Sequence, residues 1–567
     1  MSLDILLDDL AAAFPFSVLE THNGRLGASA LIDKESTLEI LTWLGRHEKN
    51  SFEFLSDLSA LDRFGQVGMD HRFEVVYQLV SWSRKERFAL KVAVSEDDLE
   101  VPSVCSMFRL ADWAEREVFD LFGIRFRGHP NLKRILTHQA FQGHALRKDF
   151  DIQQASPLED VDDMIDEIGA WGENPEDLGF TELVPLNLGP AHPALRGVLR
   201  ILVKIDGECI NQAACEIGYL HRGVEKELER RGWAQAIPFT DRLNWASPWL
   251  NNLAWCEAVE RLLDLKVPDR AETIRVMMAE LSRISDHATC LAATFESLGL
   301  RAAYWRLQAI TEGVTELNEA ISGVRHNPSF LRIGGLSADL PDGFENSVAE
   351  FSKQLVGAID GILDFVLSNP IFDRRTRGVG VVSAATALSY GWTGPCLRAS
   401  GLNYDLRQFD AKSAWRHYRF KPACRKGGDV HARILVRFDE IVESLALIEQ
   451  ALYRLNPGEI MTSNKAVALP KKSDVSSSLE GMANHVLLLT EGMKVPKGEV
   501  YHAIEGANGE LGFHLISDGG TRPRRARCRP PSFHNYAAFP SIVAGQPLSH
   551  AIPILASLNV VAGELDR

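Results

Sequence analysis

The sequence predicts a multidomain α+β protein, with an amino-terminal α+β domain followed by a larger, mainly helical-bundle domain that carries small β elements. Three observations lead to this fold class. The 567 residues are too many for one core, so we expect two. An acidic segment divides the chain after residue 150. Across that segment, the period of the apolar residues changes from about two to between three and four.

The amino-terminal domain, residues 1–150, is expected to contain a sheet covered by helices. Residues 71–80 and 88–94 are rich in β-branched and aromatic side chains, and the polar stretch 83–86 between them favours a hairpin. Residues 38–44 and 112–119 have helical spacing and would cover one face of the sheet.

Residues 151–182 are interpreted as an acidic linker. From Asp151 to Glu182 there are eleven acidic side chains and no Lys or Arg, so this segment supplies -11 of the formal charge of -15. Such a segment repels itself and has few aliphatic residues to bury.

The remainder, residues 183–567, is expected to be the helical domain. Residues 198–205 alternate as a strand does, and Pro268-Asp269 then opens the first of three long apolar-striped helices. The second covers 344–365 and the third 434–455. Such helices predict a bundle core.

Short strands are predicted near the carboxyl end, with an Asp518-Gly519 turn before the last of them. The last strand is crowded with five arginines, which predict either a solvated strand face or a docking surface for an acidic partner: Arg522, Arg524, Arg525, Arg527 and Arg529.

Composition excludes several classes of function. No apolar run is long enough for a membrane span, and the acidic start Met1–Asp9 argues against export. The net negative charge argues against a nucleic-acid partner. Neither a G-x-G-x-x-G loop nor a G-x-S-x-G elbow supports a free-standing soluble enzyme.

The cysteines predict no metal centre, because none lies in a Cys-x-x-Cys pair. The close pair His287 and Cys290 lacks a second pair, and buried reduced thiols are the expected state. The eight lie at positions 105, 209, 215, 256, 290, 396, 424 and 528.

Two dense motif blocks carry a family resemblance. The first runs from Glu115 to Gly123 (EREVFDLFG) and continues as GHPNLKRIL from Gly128 and LRKD from Leu146; it is similar to the C subunit of respiratory complex I. The second, LNLGPAHP from Leu186 followed by LHRGVEK from Leu220, resembles the D subunit. The order of the blocks makes the chain similar to a fused C/D subunit of NADH:quinone oxidoreductase.

The resemblance implies a fold like that of nickel-iron hydrogenase large subunits, but without their metal. The four positions of the hydrogenase thiolates fall on Asn244, Ser247, Val561 and Glu564. None of these side chains can replace a soft thiolate ligand, so we expect no nickel.

It also implies a quinone pocket whose usual groups are substituted. His192 is kept, but the second His of the family's loop is Arg196, and the usual quinone-binding Tyr is Trp245. An indole donates one hydrogen bond yet cannot give up a proton near neutral pH. Two further family positions, an Asp and a His, fall on Ser297 and on Asn327, which lies beside His326.

The family's two arginines near the terminal iron-sulfur cluster are present as Arg222 and Arg242. The resemblance therefore implies a peripheral-arm subunit on the cytoplasmic side of the bacterial inner membrane. Its implied partners are B and I-type iron-sulfur subunits and an H-type membrane subunit. FMN and the clusters would belong to partner chains, and quinone would be the substrate. The alternative is a related membrane complex whose degenerate pocket serves another acceptor or a structural role.

Overall fold

The computed structural model describes residues 3–46, 51–66, 68, 70–151, 184–195, 197–410 and 413–567. The acidic segment falls almost entirely outside these residues, as does Arg196. The amino-terminal part is built on a five-stranded sheet in the order β1-β2-β5-β4-β3, in which β2 and β5 are parallel and the other pairs antiparallel. The strands are β1 (Val18–Gly24), β2 (Gly27–Asp33), β3 (Phe54–Asp62), β4 (Phe73–Ser81) and β5 (Glu86–Val94).

The predicted hairpin is confirmed as β4 and β5, which pair from Phe73 with Val94 to Ser81 with Glu86. Both predicted covering helices are present as α2 and α3. A short parallel pair, β6 and β7, flanks α3. The remaining elements of this part are α1 (Leu3–Ala13), α2 (Thr37–Arg46), β6 (Glu100–Pro102), α3 (Ala111–Phe122) and β7 (Arg125–Arg127).

The second described part begins with a three-stranded antiparallel sheet in the order β10-β9-β8, and the predicted strand at 198–205 is β9. Long helices follow, and all three that the apolar spacing predicts are present as α7, α9 and α14. The sheet comprises β8 (Val184–Leu188), β9 (Arg200–Asp206) and β10 (Cys209–Glu216), and the helices up to the bundle are α4 (Val224–Arg230), α5 (Ile237–Thr240), α6 (Pro248–Leu263), α7 (Asp269–Ser297), α8 (Arg301–Ser322), α9 (Phe344–Leu367) and α10 (Pro370–Thr376).

Helix α7 is the centre of the bundle. It is 29 residues long and is buried over most of its surface, because α6, α8 and α14 pack around it. A two-stranded pair, β11 with β12, follows α8. The later elements are β11 (Leu331–Arg332), β12 (Gly335–Leu336), α11 (Ala384–Ser389), α12 (Gly394–Ala399), α13 (Leu406–Phe409), α14 (Val430–Arg454), α15 (Lys472–Ser477) and α16 (Leu479–Thr490).

The predicted carboxyl-terminal strands form an antiparallel sheet in the order β13-β14-β15, and four helices follow it. Among the described residues no single helix is long and apolar enough to cross a bilayer. Only when α9 and α10 are taken together, as a pair bent by 82°, do they reach that length and composition. The elements are β13 (Gly498–Gly506), β14 (Gly509–Ser517), β15 (Arg525–Arg529), α17 (Pro531–Ala537), α18 (Phe539–Val543), α19 (Leu548–Leu558) and α20 (Ala562–Asp566).

The apolar cores of the two parts are in contact with each other. The main apolar cluster runs continuously from Leu6 to Leu565 through both parts. The reason lies in β3, whose nine residues are all buried, because α3 and β15 both pack against it. A sheet that is covered on both faces joins the two parts instead of ending at solvent.

Both predictions for the arginine-rich strand are wrong at three of its five positions. Arg525, Arg527 and Arg529 are at most 3% exposed. They turn inward because β15 packs on the amino-terminal sheet, where Arg525 Nε donates to Ala60 O and Arg529 Nε to Ser56 O, each at 3.2 Å. The acidic partner is this chain itself, through the buried carboxylates of Asp57, Glu117, Glu225 and Glu229.

Candidate functional site

The segments that carry the candidate residues converge on the start of α20. A Cβ added to Gly197, in the loop between β8 and β9, would lie 3.2 Å from Ala562 Cβ. A Cβ added to Gly563 would lie 3.1 Å from Arg242 O and 3.2 Å from Leu243 O. Two segments of the chain thus approach one turn of helix closely, so Ala562 and Gly563 form the centre of the candidate site.

The two candidate arginines are in direct contact. Arg222 Nη2 donates to Arg242 O at 3.0 Å and to Gly563 O at 3.2 Å. Arg242 Nη1 donates to Pro238 O at 2.7 Å. Partial burial and the neighbouring Arg242 guanidinium lower the pKa of Arg222. Both side chains remain exposed, so the pair presents positive charge and spare N–H donors at the surface.

Trp245 lies three residues beyond Arg242 and is 52% exposed, which is unusual for so large an apolar ring. Its indole meets the ring of His326 edge-on, with centroids 6.5 Å apart. Asn327, the position expected from the family, has a left-handed φ of 53°, and its buried Oδ1 has no described partner. The imidazole beside Trp245 is therefore that of His326.

His192 is half-buried in the loop between β8 and β9, where its Nδ1 accepts the backbone N–H of Ala194 at 3.3 Å. The loop follows a cis peptide bond between Gly189 and Pro190. The structure thus brings Arg222 and Arg242 together, sets Trp245 nearby on the same loop as Arg242, and places His192 on a loop that reaches α20. Arg196 lies outside the described residues.

The side chains of Asn244 and Ser247 hold the buried carboxylate of Asp286. Asp286 Oδ2 accepts hydrogen bonds from Asn244 Nδ2 at 2.7 Å and Ser247 Oγ at 2.8 Å. Its Oδ1 accepts from Asn559 Nδ2 at 2.6 Å. The amide of Asn244 and the hydroxyl of Ser247 are thus engaged as donors, and all the groups are hard, so this donor set does not fit nickel.

Glu564 is a buried carboxyl near Asp286. Burial raises its pKa to about 8, and the nearby Asp286 charge adds to the effect. Its Oε1 accepts the backbone N–H of Ser532 at 3.3 Å, while Oε2 has no described partner. The raised pKa favours the protonated form of Glu564 at neutral pH, and Glu564 directly follows Gly563, whose carbonyl accepts from Arg222.

Sequence reasoning missed Asp286, which was passed over in favour of its neighbour His287. His287 is buried and hydrogen-bonds Glu440 Oε2 through Nε2 at 2.8 Å, and burial lowers its pKa. The expectation of buried thiols is wrong for Cys209 and Cys424, which are exposed. All eight cysteines are free.

Comparison with known proteins identifies the family. Residues 298–567 match the model of the 49 Kd subunit of respiratory-chain NADH dehydrogenase, and residues 30–156 match that of the 30 Kd subunit. The C/D subunit of NADH-quinone oxidoreductase from Bdellovibrio bacteriovorus is 41% identical over 538 residues, with 94% of each chain covered. The C/D subunit from Nitrosospira multiformis is 36% identical over 94% of this chain and 90% of its own length. That from Edwardsiella ictaluri is 34% identical, with 97% and 94% covered. The chain belongs to the family of fused C/D subunits of NADH-quinone oxidoreductase, and it is therefore part of an oxidoreductase complex.

Proposed function

We propose that this chain supports the terminal iron-sulfur cluster of a B-type subunit and forms much of a quinone pocket at the loops around Ala562 and Gly563. The observation that carries the proposal is the contact of Arg222 with Arg242, together with the exposed ring of Trp245 three residues beyond Arg242 in the chain. Guanidinium groups can donate hydrogen bonds to cluster sulfur and raise its reduction potential.

The reaction at this face would be the reduction of a quinone to a quinol by two electrons and two protons. Electrons would arrive from the partner's cluster. The exposed indole of Trp245 offers a stacking surface and one N–H donor, and Arg196 would donate to the headgroup. The two protons would come from His192, from water, or from the imidazole of His326 beside Trp245.

The wider assembly follows from the family. FMN and the clusters would be held by other subunits, with B and I-type iron-sulfur chains and an H-type membrane chain as neighbours. The complex would lie on the cytoplasmic side of the inner membrane and couple the reaction to proton translocation. We further propose residues 1–150 as the C-like domain, 151–182 as the linker and 183–567 as the D-like domain, the last with a metal-free hydrogenase-like fold.

The experiment compares two exposed tryptophans in the purified complex. Trp245 is 52% and Trp305 67% exposed, and Trp305 lies on α8, away from the candidate loops. We expect Trp245→Ala to raise KM for a short-chain quinone or to lower kcat at least tenfold, while Trp305→Ala leaves both unchanged. Equal behaviour of the two variants would contradict a quinone site at Trp245.

The second candidate is a degenerate pocket that serves another acceptor or a structural role. It is favoured by the absence of the expected phenol and carboxylate, at Trp245 and Ser297. In that case the complex would assemble with its clusters reduced by NADH, but neither variant would alter quinone kinetics, because no quinone would turn over at this face.

A further inference from the structure

A second cluster of reactive side chains lies in the amino-terminal part, far in sequence from the candidate quinone face. Cys105 follows β6, Glu115 lies on α3, and His129 follows β7. One ligand atom from each lies within 4.8 Å of the other two. Cys105 Sγ is 3.5 Å from Glu115 Oε2. Glu115 is fully buried, as is the side chain of His129.

Tyr77 supplies an independent observation. It lies on β4, its side chain is 0% exposed, and its hydroxyl has no described hydrogen-bond partner. Burial raises its pKa, and the charges of Glu115 and Cys105 raise it further. An unsatisfied buried hydroxyl costs about 1–3 kcal/mol, so a further group at this position would stabilise the fold.

The ligand types select the metal. A thiolate, an imidazole and a carboxylate are ligand types that zinc takes, whereas calcium and magnesium take oxygen alone. We propose that Cys105, Glu115 and His129 form a zinc site that ties the β6–α3 connection to the segment after β7. The site is independent of quinone chemistry.

The neighbours define what zinc must displace. Glu115 accepts from Val104 N and Ser103 Oγ, each at 2.7 Å, and these bonds fix its carboxylate. His129 Nδ1 accepts from Asn131 N at 2.9 Å, and Nε2 lies 3.0 Å from Asp112 O. Binding therefore requires the imidazole to exchange one of these two bonds for the metal. Zinc ligation also releases protons, so the affinity rises with pH.

The spacing of the cysteines could not reveal this cluster, because each ligand comes from a different element. Ten residues separate Cys105 from Glu115 and fourteen separate Glu115 from His129. Only the crossover from β6 through α3 to β7, in which the two strands pair in parallel and α3 packs against β7, brings the three together.

The test titrates the untagged full chain with Zn2+ against a weak chelator and records zinc-edge X-ray absorption, which iron does not obscure. We expect one Zn2+ per chain with one sulfur neighbour at about 2.3 Å. Cys105→Ser should lose the sulfur signal and at least tenfold in affinity. Cys209→Ser and Cys424→Ser, at the two exposed cysteines, are the matched controls and should bind as the wild type does.

Two results would overturn the proposal: a wild-type chain that takes up no zinc, or zinc binding with sulfur contact that survives Cys105→Ser. Should Cys105→Ser fail to fold, alkylation of Cys105 in the wild type decides the matter, since bound Zn2+ should slow it at least tenfold. An unchanged alkylation rate would contradict the site.

Discussion

The buried ion pairs between β15 and the amino-terminal part predict a large effect from one substitution. Arg527 is 2% exposed. Its guanidinium lies 2.9 and 3.1 Å from the two Asp57 oxygens and 3.2 Å from Glu225 Oε1, and it also contacts Glu117. Arg527→Met keeps most of the apolar stem but leaves these buried carboxylates without their shared cation.

Breaking such a buried pair costs about 3–5 kcal/mol, because the charge left behind is desolvated and uncompensated. Glu225 keeps Arg525 at 2.7 Å, which favours the lower end of the range. A whole domain is stable by only about 5–15 kcal/mol, so the loss is a large fraction. The urea dependence is about 1–3 kcal/mol per molar for small proteins and rises with size, so the unfolding midpoint of this chain should fall by about 0.5 M or more.

The assay is urea unfolding of the full chain followed by tryptophan fluorescence, with midpoints compared because a chain of this size need not unfold in one step. Arg522→Met is the matched control, since Arg522 precedes the same strand but is exposed. Its midpoint should stay close to that of the wild type, because substitution of an exposed side chain usually changes the free energy of unfolding by no more than about 0.5 kcal/mol. If the two variants shift the midpoint equally, the buried network does not join the parts as described.

Three further predictions concern the candidate site. Burial raises the pKa of Glu564 in the folded chain to about 8, so the stability that its protonated form contributes is complete below about pH 4.5 and is lost as the pH rises toward 8. Glu564→Gln should therefore reduce the decline of the thermal unfolding temperature over this pH range. Equal declines in the variant and the wild type would contradict the reasoning. Gly563→Ala should displace the arginine pair and lower the free energy of unfolding by about 1–3 kcal/mol. Gly357→Ala, in open space on α9, is the control and should raise it by up to about 1 kcal/mol. Thermal melts measure both, and equal shifts of the two variants would contradict the reasoning. Trp245→Tyr with Arg196→His should change quinone affinity or rate in the active complex, and unchanged kinetics would exclude these positions from the pocket.

Local patterns in the sequence predicted much of the fold. The period of the apolar residues identified α7, α9 and α14, and the polar break at 83–86 identified the hairpin of β4 and β5. These elements follow from contacts between residues close in sequence, which periodicity records directly.

The errors involve partners that are distant in sequence. Arg527 pairs with Asp57 across 470 residues, and alternating arginines on a strand do not reveal that the facing sheet is acidic. The pairing of Asn244 with Asp286 and the contact of Trp245 with His326 likewise depend on tertiary packing. The motif blocks identified the family correctly, because their residues are contiguous in the chain.

The most direct test of the central claim is the inhibitor-sensitive, NADH-dependent reduction of a short-chain quinone by the intact complex, isolated through this chain from native membranes in mild detergent. The account predicts turnover that a pocket inhibitor abolishes and that Trp245→Ala impairs. An intact complex whose clusters are reduced by NADH, but which shows no inhibitor-sensitive quinone reduction, would contradict it.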